Sequence, residues 1–218
     1  QKILLCKKTK QTPILVGGTG LYFKALTDGL MNIPKIPLSF RNKVRNLHKK
    51  IGQKKFFLEL LKIDPLIKNQ INNLDTQRSI RAYEIKSYTK KSITSWFKNT
   101  KSDYDKTDFF KICIDFPRKD LIERINQRSK EMIESGAILE VKKFIKLRVP
   151  KEKSLTKAIG INEIKEYLQK KIQIEQLIEK ISIKTRQYAK RQSTWARGHM
   201  KDWNKVNPAS LEKLLKKI

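Results

Sequence analysis

The chain has 218 residues, of which 39% are hydrophobic, and its 50 Lys and Arg outnumber 21 Asp and Glu to give a formal net charge of +29. That length allows one ordinary domain, or a core with a small insert, and the apolar fraction is enough for a real core. Two cysteines, Cys6 and Cys113, without a Cys-x-x-Cys or companion histidines, exclude a disulfide framework and a structural zinc site. They fit a reducing, cytoplasmic setting. No run approaches the ~18 apolar residues of a membrane span, and no signal peptide is visible. A chain this basic is best matched to a polyanion, nucleic acid first, because each neutralised phosphate releases counterion. A general Lys-rich bias is the other source of the charge, since basic residues are spread widely.

The predicted elements begin within Gln1 to Lys10, which reads as the tail of a helix. Because the chain opens in mid-element, and not at Met, further residues are expected upstream. Ile14, Leu15 and Val16 form a wholly apolar run between Pro13 and Gly17-Gly18, as expected of a strand buried on both faces of a parallel sheet. Leu21 to Leu30 reads as a helix closed by Gly29. Pro34 and Pro37 mark a domain crossing. Helices are expected at Phe40 to Leu47, Phe56 to Leu61 and Asp75 to Tyr88, the last with Asp75 as N-cap. Asn99 to Asp108 is a polar loop. Phe109 to Phe116 alternates apolar and polar residues and reads as a second strand. Lys119 to Glu134 and Ala137 to Leu147 are helices split by Gly136. After a loop at Val149-Pro150 come helices at Asn162 to Leu168 and Ile174 to Trp195. A short strand near Trp203 to Val206 precedes a helix with Pro208 in its first turn.

Five stretches carry candidate chemistry. Gly17-Gly18-Thr19-Gly20 joins the first apolar run to a helix. Amides at a helix N-terminus attract anions, glycines let the backbone approach a phosphate, and Thr19 adds a hydroxyl. A tight turn that needs glycine for geometry alone is the competing reading. In Gln77-Arg78-Ser79-Ile80-Arg81, Gln77 and Arg81 share a helix face that could hold phosphates and read a base edge; a solvated amphipathic face is the alternative. Arg124 and Arg128 are also four apart, and paired guanidiniums suit a diphosphate or an RNA backbone. Their alternative is pairing with Glu123, Glu131 or Glu134. Lys157-Ala158-Ile159-Gly160-Ile161-Asn162 puts a glycine at a loop-to-helix boundary, either against RNA or as a simple turn. Finally, Lys184 to Arg197 is basic with interleaved aromatics. Arg186 and Lys190 are candidate phosphate contacts, and Tyr188 and Trp195 are expected in the core.

In this order, the stretches PILVGGTGLYFKALTDGL, DTQRSIRAYEIKSYTKKSI, LIERINQRSKEMIESGAILEVKKF, KAIGINEIKEYL and KTRQYAKRQSTWARG resemble the tRNA dimethylallyltransferase (tRNA isopentenyltransferase) family over almost the whole chain. The resemblance implies an α/β fold with a P-loop, nucleotide-kinase-like core and a helical insertion. It divides the chain into core (1–33), insertion (34–105) and core continuation with C-terminal helices (106–218). The implied reaction moves the dimethylallyl group of dimethylallyl diphosphate to N6 of adenosine 37 in tRNAs reading codons that begin with U. The base is extruded for the chemistry. Magnesium and basic groups hold the diphosphate, and no protein ligand to the metal is assigned. By resemblance, Thr19 and Arg128 are catalytic, and Gly17, Gly18, Thr19 and Arg124 bind diphosphate. Gln77 to Arg81, Lys157 to Asn162, Arg186 and Lys190 contact the tRNA anticodon stem-loop. A monomer is expected.

The family's GPTxSGKS loop and its Asp-Ser motif, whose Asp is the general base, do not occur in these 218 residues. Both precede GGTG in the family, so an N-terminally truncated chain is expected, inactive by itself yet keeping part of the tRNA surface. The eukaryotic zinc finger is absent too, which fits a bacterial or organellar type. Two other readings stand beside this one: another P-loop transferase or kinase, and a non-catalytic RNA-binding remnant.

Overall fold

A computed structural model of the chain describes residues 2–98, 100–150 and 153–216. The described residues are mostly helical, with one two-stranded parallel sheet. Contacts divide the chain into a discontinuous unit, Gln1–Gly20 with Phe110–Ile218, and a continuous unit, Leu21–Phe109.

In the continuous unit α2 spans Gly20–Thr27, its first residue belonging to the other unit. Helix α3, Leu38–Ile63, covers two of the predicted helices and is kinked at Gly52, whose φ of 75° leaves the helical region. Helix α4, Thr76–Thr89, starts where Asp75 accepts a hydrogen bond from the Arg78 amide at 3.0 Å. The predicted N-cap therefore satisfies one orphan amide of the first turn. A short α5 follows at Ile93–Lys98. Phe57 and Leu60 of α3 meet Ile67, Ile71 and Ala82 in a common core. Of the predicted loop from Asn99 to Asp108, Asn99 lies outside the described residues, and the rest is irregular apart from a turn at Lys106–Asp108.

The discontinuous unit opens with α1, Lys2–Lys8. Strand β1, Ile112–Ile114, lies parallel to β2, Asn204–Val206, with Ile112 opposite Asn204 and Ile114 opposite Val206. The second predicted strand is thus three residues long and not eight, because β2 offers only three partners. Helix α6, Arg118–Met132, runs into a π-helical turn at Ile133–Ala137, where Gly136 takes φ 100°, and then into α7, Ile138–Lys146. Helices α8, Ile161–Leu168, and α9, Ile174–His199, follow. The last helix, α10, Pro208–Leu215, has Pro208 at its first position and Asn207 as its cap. Ile133 after α6, Ile164 of α8, and Leu177 and Ile181 of α9 share the core of this unit.

One strand expectation fails. Ile14–Val16 is irregular, with Ile14 72% and Val16 89% exposed. A strand needs a neighbour to take its amides and carbonyls, and among the described residues the only sheet is β1 with β2. An apolar run by itself does not supply that neighbour.

Helix α8 is tied to α9 by charge. Glu163 is 2% exposed; it accepts from the Gly160 amide at 2.8 Å and pairs with the Lys184 ammonium. Burial pushes this carboxyl up, but the Lys184 hydrogen bond and the backbone amides outweigh burial and hold it below the usual carboxylate range. A depressed folded-state value stabilises the fold above the unfolded pKa of about 4.3, and the contribution is lost as pH falls through the folded value. Lys184→Met is expected to destabilise the chain at neutral pH by about 1–3 kcal/mol, the cost of a poorly satisfied buried acceptor. The difference from the parent should shrink in acid as Glu163 takes up a proton. Urea unfolding from neutral to acidic pH measures both.

Candidate phosphate and nucleic-acid site

The loop Gly17 to Gly20 lies against the C-terminal part of α9. The Gln192 side-chain amide donates to the Gly18 carbonyl at 2.8 Å. A Cβ on Gly18 would lie 2.2 Å from Gln192 Nε2, and one on Gly20 would lie 1.9 Å from the Trp195 ring. Neither glycine has a positive φ. Glycine is required here by close approach, not by backbone conformation. Trp195 is half-buried and stacks on His199, with centroids 4.4 Å apart at 7°. Thr19 remains exposed at the start of α2, where a helix N-terminus favours an anion.

Gln192 and Trp195 were not among the predicted site residues. Their spacing of three puts both on one face of α9, and that face was legible; its partner was not. Tyr188, expected in the core, is instead 42% exposed, with the Arg191 guanidinium 5.6 Å from its ring centroid. Tyr188 shares the face of Gln192 and Trp195, four and seven residues on, but lies about one to two turns before the point where the loop meets that face.

Arg124 and Arg128 are exposed on α6, in the same unit as Gly17–Gly20. Arg124 lies over the Phe116 ring at 4.9 Å, which presents its guanidinium without neutralising it. Among the described residues neither arginine pairs with Glu123, Glu131 or Glu134, and Glu131 instead accepts from Gln127 at 2.9 Å. Arg186 is half-buried and Lys190 exposed; among the described residues neither meets a carboxylate.

The segment Lys157 to Asn162 splits in two. Lys157, Ala158 and Asn162 are exposed, whereas Ile159 and Ile161 belong to the packed core. Gly160 is buried at φ 103°, a left-handed conformation suited to glycine. Its amide is taken by Glu163. On α4, Gln77 and Arg78 are exposed, Ile80 is half-buried, and Ser79 is fully buried. The Ser79 hydroxyl donates to the Asp75 carbonyl at 2.7 Å and accepts from Gln53 at 3.2 Å. Arg78 meets Asp75 at 3.4 Å, and Arg81 meets Glu84 at 3.4 Å. The side chains of Ser79 and Ile161 therefore serve packing, while Gln77, Arg78, Arg81, Lys157 and Asn162 offer polar groups to solvent.

Residues 1–199 match the IPP transferase family. The chain is 55% identical to the tRNA dimethylallyltransferase of Pelagibacter ubique, over all of this chain and 70% of that protein. The chain belongs to the IPP transferase family. Among other members, the tRNA dimethylallyltransferase of Rickettsia massiliae is 43% identical over 87% of this chain and 53% of its own length. The chain thus spans from about half to 70% of the IPP transferase relatives it matches. Among solved structures, the tRNA isopentenylpyrophosphate transferase of Bacillus halodurans aligns with TM-score 0.57 at 30% identity, over 94% of this chain and 63% of that one. A eukaryotic dimethylallyltransferase acting on tRNA aligns with TM-score 0.70 at 25% identity, over 89% of this chain and 50% of that one. Among the described residues no helix is long and apolar enough to cross a membrane.

Gly20→Ala should destabilise the protein by about 1–3 kcal/mol, the usual cost of overpacking against a ring that cannot swing clear. Gly18→Ala should cost less, because the clashing atom is the free end of Gln192, although the hydrogen bond worth about 0.5–1.5 kcal/mol is lost. Equal losses in chemical unfolding would contradict this difference between ring and amide.

Proposed function

We propose that the protein transfers the dimethylallyl group of dimethylallyl diphosphate to N6 of adenosine 37 in tRNAs that read codons beginning with U. The observation that carries this reading is the docking of the Gly17–Gly20 loop on Gln192 and Trp195. Two stretches diagnostic of the family, far apart in sequence, form one structure with the Thr19 side chain exposed beside it. Membership of the family supplies the reaction class.

In this reading the loop amides and Thr19 bind the diphosphate, with Gly17 and Gly18 allowing close approach. Arg124 and Arg128 stabilise the charge that develops as the carbon–oxygen bond to diphosphate breaks. The N6 amine forms the new carbon–nitrogen bond as diphosphate departs with the electrons of the broken carbon–oxygen bond, and its proton passes to the general-base Asp that the resemblance places before GGTG. Gln77, Arg78 and Arg81 on the continuous unit, and the exposed part of Lys157 to Asn162, Arg186 and Lys190 on the discontinuous unit, each contact the anticodon stem-loop, mostly through phosphates. The P-loop character of the core belongs to the same proposal. Magnesium belongs to the same proposal: when bound it would neutralise charge on the diphosphate, held mostly by the diphosphate oxygens and water rather than by a cage of protein side chains.

The test uses protein expressed from the complete coding sequence, an anticodon stem-loop carrying adenosine 37, and dimethylallyl diphosphate. Mass spectrometry of the digested RNA should show one isoprenoid unit on that adenosine, and unmodified RNA would refute the proposal. In the same assay Arg128→Ala should lower kcat roughly 10²–10³-fold, the effect of losing one transition-state donor, with RNA affinity nearly unchanged. An unchanged rate at saturating substrate would remove Arg128 from the reaction.

A further inference from the structure

Within the continuous helical unit, one buried carboxylate gathers three arginines from two helices. Glu84 of α4 has a side chain only 2% exposed. Arg41 Nε lies 3.3 Å from its Oε2, Arg45 Nε lies 3.8 Å from its Oε1, and Arg81 Nη1 lies 3.4 Å from its Oε2. Only the Arg81 contact is a hydrogen bond; Glu84 Oε1 and Arg41 Nε are buried with no hydrogen-bond partner. The arginine side chains are 37%, 45% and 42% exposed. Three guanidiniums against one carboxylate leave two net positive charges. Each guanidinium has five N–H donors, and Glu84 engages few of them.

A cluster built only for stability would pair its charges and satisfy their donors, since a buried ionic group left partly unsatisfied costs stability. Here the carboxylate lies beneath the cluster and holds guanidiniums that retain free donors and net charge. Planar forks with spare donors suit phosphate oxygens. We infer that Glu84 is a positioning residue for an RNA-backbone phosphate site formed by Arg41, Arg45 and Arg81. The inference rests on the tRNA reading above and adds Arg41 and Arg45, on α3, to the surface that reading assigns to α4.

The experiment measures affinity of the chain for the anticodon stem-loop, and for an unrelated hairpin of equal length, as a function of salt. Arg41→Gln and Arg45→Gln should each lower the slope of log affinity against log salt by about 0.7–0.9, the release expected per phosphate, with unchanged far-ultraviolet circular dichroism. Lys62→Gln removes one charge from a lysine paired with Glu59 at 2.7 Å; its slope should match the parent. Glu84→Gln should weaken RNA binding beyond either single arginine change, and if it does not fold the arginine variants still decide the matter. Folded arginine variants with the parent slope, or a Lys62→Gln slope that falls equally, would overturn the site. A parent that prefers the stem-loop while the arginine slopes stay unchanged leaves the tRNA reading standing and removes only this inference. A parent with no affinity for either RNA removes both.

Discussion

The contact between the glycine loop and α9 is the constraint on which the discontinuous unit depends. Segments 174 residues apart meet where Gln192 donates to the Gly18 carbonyl; the Trp195 ring leaves no room for a side chain at Gly20, and at Gly18 the movable end of Gln192 fills the space. The same helix anchors α8 through Lys184 and Glu163 and shares its apolar residues with the end of α6. One 26-residue helix thus carries the loop, the basic stretch Lys184 to Arg197 and part of the core of its unit. Thr19 stays exposed beside this anchored backbone. A diphosphate would meet a preformed loop and would not have to order one, which spares the entropy of ordering on binding.

Charge in this molecule is organised by a few buried acids. Glu163 and Glu84 are both almost fully buried, one in each unit, and each draws basic side chains toward it. The two differ in kind. Glu163 makes close hydrogen bonds to an ammonium and an amide, which lock α8. Glu84 meets three guanidiniums at 3.3 Å to 3.8 Å and leaves most of their donors free. The first arrangement stabilises a fold; the second presents charge. A net charge of +29 is tolerable where a polyanion is the partner.

Features with a local cause were legible from the residues. Asp75 caps α4, Gly136 breaks α6 from α7, and Pro208 opens α10, each through chemistry within a few positions. Features with a distant cause were not. Ile14–Val16 has strand composition, but pairing depends on a neighbour that no periodicity reveals. By sequence the glycines of the loop suit a turn or a phosphate cradle, whereas their packing reason lies at Gln192 and Trp195. On α4 the shared face of Gln77 and Arg81 was visible in the spacing. The burial of Ser79, held by Asp75 and Gln53, was not, because Gln53 comes from another helix.

The central claim is that the loop and the end of α9 act together as one diphosphate-binding structure. Hydrogen exchange of the chain with and without inorganic diphosphate tests it most directly. Slowed exchange is expected at Gly18 to Tyr22 and, in the same experiment, at the amides around Gln192 to Ala196. Diphosphate that binds while leaving both segments unchanged, or that protects only residues elsewhere in the chain, would contradict the account.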